Sequence, residues 1–197
     1  MRNILHGATS LIAAMLFTGC ATSFQGKALK SVSSYPSVRQ QKTISVNLAF
    51  SGKLNGEPWT ENDARNGVYL KQRCIEQLAS CGMFSPVSEG SGSRDLDLLV
   101  AIINDKKQSA TAHFFSALTL FIIPYRSTDH FQLLAVVREP ATGKRARIPL
   151  EHSVSHWQQV FLLPFSLSRP SASELERCTD ILLQNLCLEI HRSGMVK

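Results

Sequence analysis

Leu96-Asp97-Leu98-Leu99-Val100-Ala101-Ile102-Ile103 is a nearly continuous apolar run, closed by Asp95 on one side and Asp105 on the other. It is too short for a typical buried helix and too apolar for a strand with one wet face. The run therefore predicts a central strand, covered on both faces or at least well buried. The neighbouring segments must supply the layers that cover it.

Upstream, Thr43 to Phe50 alternates, with Ile44, Val46 and Leu48 opposing Ser45, Asn47 and Ala49, as in a half-buried strand. Gly52 to Pro58 breaks the pattern. Thr60 and Asp63 resemble a capping box, and Ala64, Val68, Ile75, Leu78 and Ala79 then recur at helical spacing as far as Gly82, which predicts a helix over residues 61–81. Phe84 and Val87 are read as part of a Ser/Gly-rich loop.

Downstream, Ala112 to Tyr125 is strongly apolar. As a helix its core from Phe114 to Ile123 would reach only about 15 Å, half the hydrocarbon thickness of a bilayer, so it cannot span a membrane. Burial in the core is the favoured reading, because unburied patches of this size are uncommon on soluble monomers. The alternative is an apolar surface that rests on lipid or a partner, with Phe114, Leu118, Leu120 and Phe121 as its contact residues. Phe131, Leu133, Ala135 and Val137 resume a strand period, Pro140-Ala141-Thr142-Gly143 signals a turn, and Ala146, Ile148 and Leu150 alternate again. These two runs predict a hairpin whose second strand is an edge, since Pro149 cannot donate to a ladder. Trp157 to Phe165 is apolar and is expected to cover a sheet edge. Ser171 and Glu174 form another capping box, and Leu175, Cys178, Leu182, Leu186 and Ile190 make a helical stripe ending at Gly194.

The order strand, helix, three or four strands, helix predicts an α+β two-layer sandwich: a mostly antiparallel sheet of four to five strands with two helices on one face. That order over residues 43–193 resembles the small α/β domains of periplasmic lipoproteins that serve envelope assembly.

The N-terminus is read separately. Met1-Arg2-Asn3 is a short positive start, and an apolar run from Ala8 ends at Leu16-Phe17-Thr18-Gly19-Cys20. The layout is that of a secretory signal, and it ends too early for a membrane-spanning helix. Residues 16–20 resemble a bacterial lipobox, with Phe17 where Leu is usual. The resemblance implies cleavage before Cys20, a diacylglycerol and an N-acyl chain on that residue, and no other cofactor. Ala21 lacks the acidic character of an inner-membrane retention signal, so the resemblance implies the outer membrane, facing the periplasm. The expected organisation is a signal peptide (1–19), a lipidated flexible tether (20–41) and one periplasmic domain (42–197).

A formal charge of +6 without a long basic block, and without a recognisable nucleic-acid module, argues against nucleic-acid binding. Besides Cys20 there are Cys74, Cys81, Cys178 and Cys187, an even number in a disulfide-permissive compartment. Helical spacing keeps Cys74 from Cys81 and Cys178 from Cys187, so any bridge is expected to join the first helix to the last. The alternative is buried free thiols. His152 and His156 share a strand face but lack a third ligand nearby, and no metal site is expected. No G-x-S-x-G, H-E-x-x-H or P-loop occurs, and Asp95 with Asp97 is read as a strand edge rather than an acid pair. No catalytic residue is assigned. The function expected is that of a non-enzymatic accessory lipoprotein, held to the membrane by its lipid and binding an envelope protein or lipid-like ligand. The alternative is a periplasmic hydrolase or metal-dependent enzyme built on His152, His156 and an Asp.

Overall fold

A computed structural model describes the backbone of residues 21–25, 29–61, 63–90, 94–159, 161 and 171–197, and side chains from residue 29 onward apart from 171–175. The elements in chain order are β1 (Ala21–Gln25), β2 (Lys42–Leu54), β3 (Glu57–Pro58), α1 (Asp63–Ser80), β4 (Phe84–Glu89), β5 (Leu96–Lys107), α2 (Ala110–Leu118), β6 (Tyr125–Arg138), β7 (Arg145–Gln158) and α3 (Ser171–Arg192). The signal peptide and Cys20 lie outside the described residues.

The apolar run at 96–103 is indeed central. β5 pairs in parallel with β2 on one side (Val46 opposite Leu98, Leu48 opposite Val100) and antiparallel with β6 on the other (Val100 opposite Ala135). Only one of its faces is fully buried, however. Leu96, Leu98, Val100 and Ile102 point into the core, whereas Leu99 on the opposite face is 54% exposed. The sheet order is β1-β7-β6-β5-β2-β3, with β4 also pairing β2, which makes seven strands among the described residues.

The expectation of four to five mostly antiparallel strands is therefore corrected to a mixed sheet. Phe84 and Val87, expected in a loop, lie in β4, which pairs in parallel with β2. β2, α1 and β4 thus form a strand-helix-strand unit. Its crossover helix lies on the core side through Leu70, Cys74 and Leu78. Gly82 (φ +75°) ends α1 and Gly194 (φ +72°) ends α3, left-handed positions that favour glycine. The β6–β7 hairpin forms as expected. Pro149 sits opposite Leu134 on the part of β7 that β1 does not reach, so its missing N–H faces a free edge.

Residues 29–41, expected to be a free tether, instead lie against the domain. The Leu29 amide donates to His152 Nδ1 (3.1 Å), the Val32 amide to Gln184 Oε1 (3.1 Å) and the Arg39 amide to the Lys197 carbonyl (3.1 Å). Leu29, Tyr35 and Val38 pack on the core. This explains why α3 is buried more widely than one stripe: Ile181, Leu183 and Cys187 are covered as well as Cys178, Leu182, Leu186 and Ile190. A polar-looking segment without periodicity is held by long-range contacts that no local pattern announces.

Candidate functional site

The segment from α2 to the start of β6 contains no Asp, Glu, Lys or Arg between Lys107 and Arg126. Its favoured reading as core is overturned. Phe114 is 63% exposed, Phe115 52%, Leu118 69%, Leu120 64%, Ile122 56% and Ile123 48%. Phe121 is partly buried, and of α2 only Ser116 is buried. The segment begins as a short helix, not a strand, and most of its large side chains lie outside the core. Eleven large hydrophobic side chains are exposed among the described residues, and seven of them, these six and Phe161, gather at one end of the molecule. Apolar exposure of this extent calls for a covering medium that the described residues do not supply.

Polar contacts hold this protrusion in shape. Ser109 caps α2 by accepting from the Ala112 amide (3.1 Å), and the buried Ser116 hydroxyl donates to the Ile123 carbonyl (2.7 Å). The Phe121 amide donates to the Ser116 carbonyl (2.7 Å), and Gln159 Nε2 donates to the Ile122 carbonyl (3.4 Å), tying the loop to the end of β7. Leu120 (φ 50°) and Phe121 (φ 60°) adopt the left-handed region, which costs a bulky side chain about 1–2 kcal/mol each. The turn thus presents apolar side chains outward against the backbone's own preference. On the neighbouring strand ends, the Arg126 guanidinium lies 5.6 Å from the Trp157 ring centroid.

The two histidines share the core-facing side of β7, as their spacing predicts, but they have separate partners. His156 Nε2 is 2.9 Å from Asp129 Oδ2, and Asn104 Nδ2 donates to Asp129 Oδ1 (3.0 Å). Burial pushes the Asp129 carboxyl up, but the hydrogen bonds from His156 and Asn104 outweigh it and leave the group below the usual carboxylate range. His152 accepts from Leu29, and burial lowers its pKa. Its Nε2 is buried without a partner. Among the described residues, no group of three or more His, Cys, Asp or Glu could hold a metal ion. Asp129 and Asn104 were not singled out from the sequence. The signal existed, because Asp129 lies in phase with Phe131, Leu133 and Ala135 on the inward face. Asp95 and Asp97 tie strands together: Asp95 accepts from the Thr43 amide (2.8 Å) and Asp97 from the Ser45 hydroxyl (2.8 Å).

Cys74, Cys81 and Cys187 are buried free thiols, and Cys178 is buried beside them in the core. Cys81, just past α1, donates to the Leu78 carbonyl (3.0 Å) and Cys187, on α3, to the Gln77 carbonyl (3.8 Å), so both thiols lie at the end of α1. Their interaction lowers the Cys81 pKa and, together with burial, raises that of Cys187, whereas Cys74, with burial alone acting on it, is pushed up to about 12. The pair bridges first helix to last.

Fold and site together define a mixed α/β domain with helices on one sheet face and an apolar pole. No protein-family model matches the chain, and no curated protein matches it by sequence. Among solved structures, a Xanthomonas campestris protein described under the family-model name DUF330 is similar at a TM-score of 0.46 and 10% identity, over 84% of this chain and 92% of that one. A PelC dodecamer from Paraburkholderia phytofirmans gives a TM-score of 0.29 at 10% identity, over 70% of this chain and 81% of its own.

Proposed function

We propose that this protein is a lipid-anchored lipoprotein of the bacterial envelope that acts by binding rather than by chemistry. The lipobox-like Leu16 to Cys20 supports the anchor and the periplasm-facing side of the outer membrane. The observation that carries the binding role is the apolar pole, where seven large hydrophobic side chains remain uncovered. No catalytic or cofactor chemistry is needed to explain so much unspent apolar surface, and an envelope protein or a lipid-like ligand would satisfy it.

The test is metabolic labelling with palmitate, followed by sucrose-gradient separation of the two membranes. The intact chain takes up label and sediments with the outer membrane, and Cys20→Ser loses both. Label retained by Cys20→Ser would remove the anchor from the account. An enzyme reading would rest on the buried Asp129–His156 pair. Folded His156→Ala protein that loses a measurable hydrolytic activity would favour it over binding.

A further inference from the structure

β1 begins at Ala21, the residue that follows the lipobox cysteine, and its register fixes where the anchor joins the fold. Ala21 lies opposite Gln158 of β7, and Gln158 lies opposite Tyr125 of β6. With strands about 4.8 Å apart, Ala21 stands about 10 Å from Tyr125. Tyr125 directly follows the exposed run that ends at Ile122, Ile123 and Pro124, and Phe161 is three residues beyond the end of β7. The point where acyl chains would attach and the apolar protrusion therefore share one pole of the sheet.

We infer that the α2 protrusion docks into the same lipid leaflet that holds the Cys20 acyl chains, so that the domain stands on the membrane by two contacts instead of swinging from a tether. This rests on the anchor reading given above. Four features favour lipid over a protein partner. Between Lys107 and Arg126 the segment has no formal charge, so no ionic desolvation opposes its approach to hydrocarbon. Basic residues flank it on both sides, Lys106 and Lys107 before and Arg126 after, placed to meet anionic head groups. Trp157 beside Arg126 supplies the aromatic and cationic pair that suits the head-group level. Finally, α2 has nine residues and no helix among the described residues is long and apolar enough to cross a membrane, so the segment fits shallow insertion. Because the anchor joins at Ala21 with β1 already in the sheet, no spacer separates this pole from the bilayer.

The experiment uses the acylated protein, purified from membranes and reconstituted in phosphatidylethanolamine and phosphatidylglycerol vesicles. Nitroxide labels are placed singly on Leu118→Cys, Ile122→Cys and, as an aqueous control, Thr142→Cys in the turn between β6 and β7. That turn lies at the far end of the 14-residue β6, about 45 Å away. Labels at 118 and 122 are expected to collide with dissolved oxygen several-fold more, relative to a water-soluble nickel chelate, than the label at 142. Ratios at 118 and 122 equal to that at 142 would overturn the docking. Labels shielded from both reagents, or broadened by a second label nearby, would replace lipid with a second copy and also overturn it. Vesicle flotation in the same samples reads the anchor: protein that fails to float removes the anchor reading and this inference together, whereas floating protein with aqueous labels removes only the docking.

Discussion

Replacing Leu118 and Leu120 together with Glu separates a surface segment from a core one. Fully burying a leucine side chain is worth about 2 kcal/mol. Leu118 is 69% and Leu120 64% exposed, so folding uses about a third of that at each site, about 1.3 kcal/mol in all. With a urea slope of about 2 kcal/mol per molar, the unfolding midpoint should fall by about 0.6 M. The remaining two thirds, about 2.7 kcal/mol for the pair, belongs to whatever covers the pole, equivalent to about a hundredfold in a docking equilibrium. Glutamate is the better probe because lysine would find compensation at an anionic surface. Circular dichroism in urea reads the first quantity, and the oxygen-to-nickel ratio of a label at Ile122 reads the second. A doubly substituted chain that cannot be recovered folded would refute the reasoning, since only two charges forced into a core would cost that much.

The Cys81 and Cys187 thiols are expected to form a disulfide on mild oxidation, closing a loop of about 100 residues, with a chain-entropy gain of about 4–5 kcal/mol before strain. Non-reducing peptide maps should show this pair alone, and a Cys74 to Cys81 or Cys178 to Cys187 bridge would contradict the helices that hold those cysteines apart. His152 has a depressed pKa and accepts from the Leu29 amide, which the protonated ring could not do. The unfolded chain then binds more protons, so stability should fall as pH drops below about 6.5. His152→Leu should flatten that part of the curve, and an unchanged slope would show that another group sets it. Removing His156 as Ala leaves the buried Asp129 with its hydrogen bond from Asn104, and a loss of about 2–4 kcal/mol is expected in thermal or urea unfolding. A loss below about 0.5 kcal/mol would mean that the pair is not sealed from water.

The parts legible in the sequence are those where a local period and the tertiary environment agree. Leu96 to Ile103, the β6–β7 hairpin and the apolar stripes of the two long helices all announced themselves in this way. β4 did not, because Pro86 and its Ser/Gly-rich neighbourhood look like a loop and only parallel pairing with β2 makes them a strand. Residues 29–41 gave no period, since single hydrogen bonds and scattered apolar contacts hold them to α3 and β7. Apolarity at 112–125 was legible, but its direction was not. Composition alone cannot tell a core from a dock, and the discriminating signal was the charge-free stretch between Lys107 and Arg126 with basic residues on both sides. Asp129 has no conspicuous spacing to another residue of its type, and its one signal is a polar side chain in the inward phase of β6.

Contact between the α2 pole and lipid can be read in living cells by placing a benzophenone side chain at Leu118 and irradiating. The expected adduct carries the mass of a phospholipid and depends on Cys20. An adduct with another protein, or with a second copy of this chain, would contradict it.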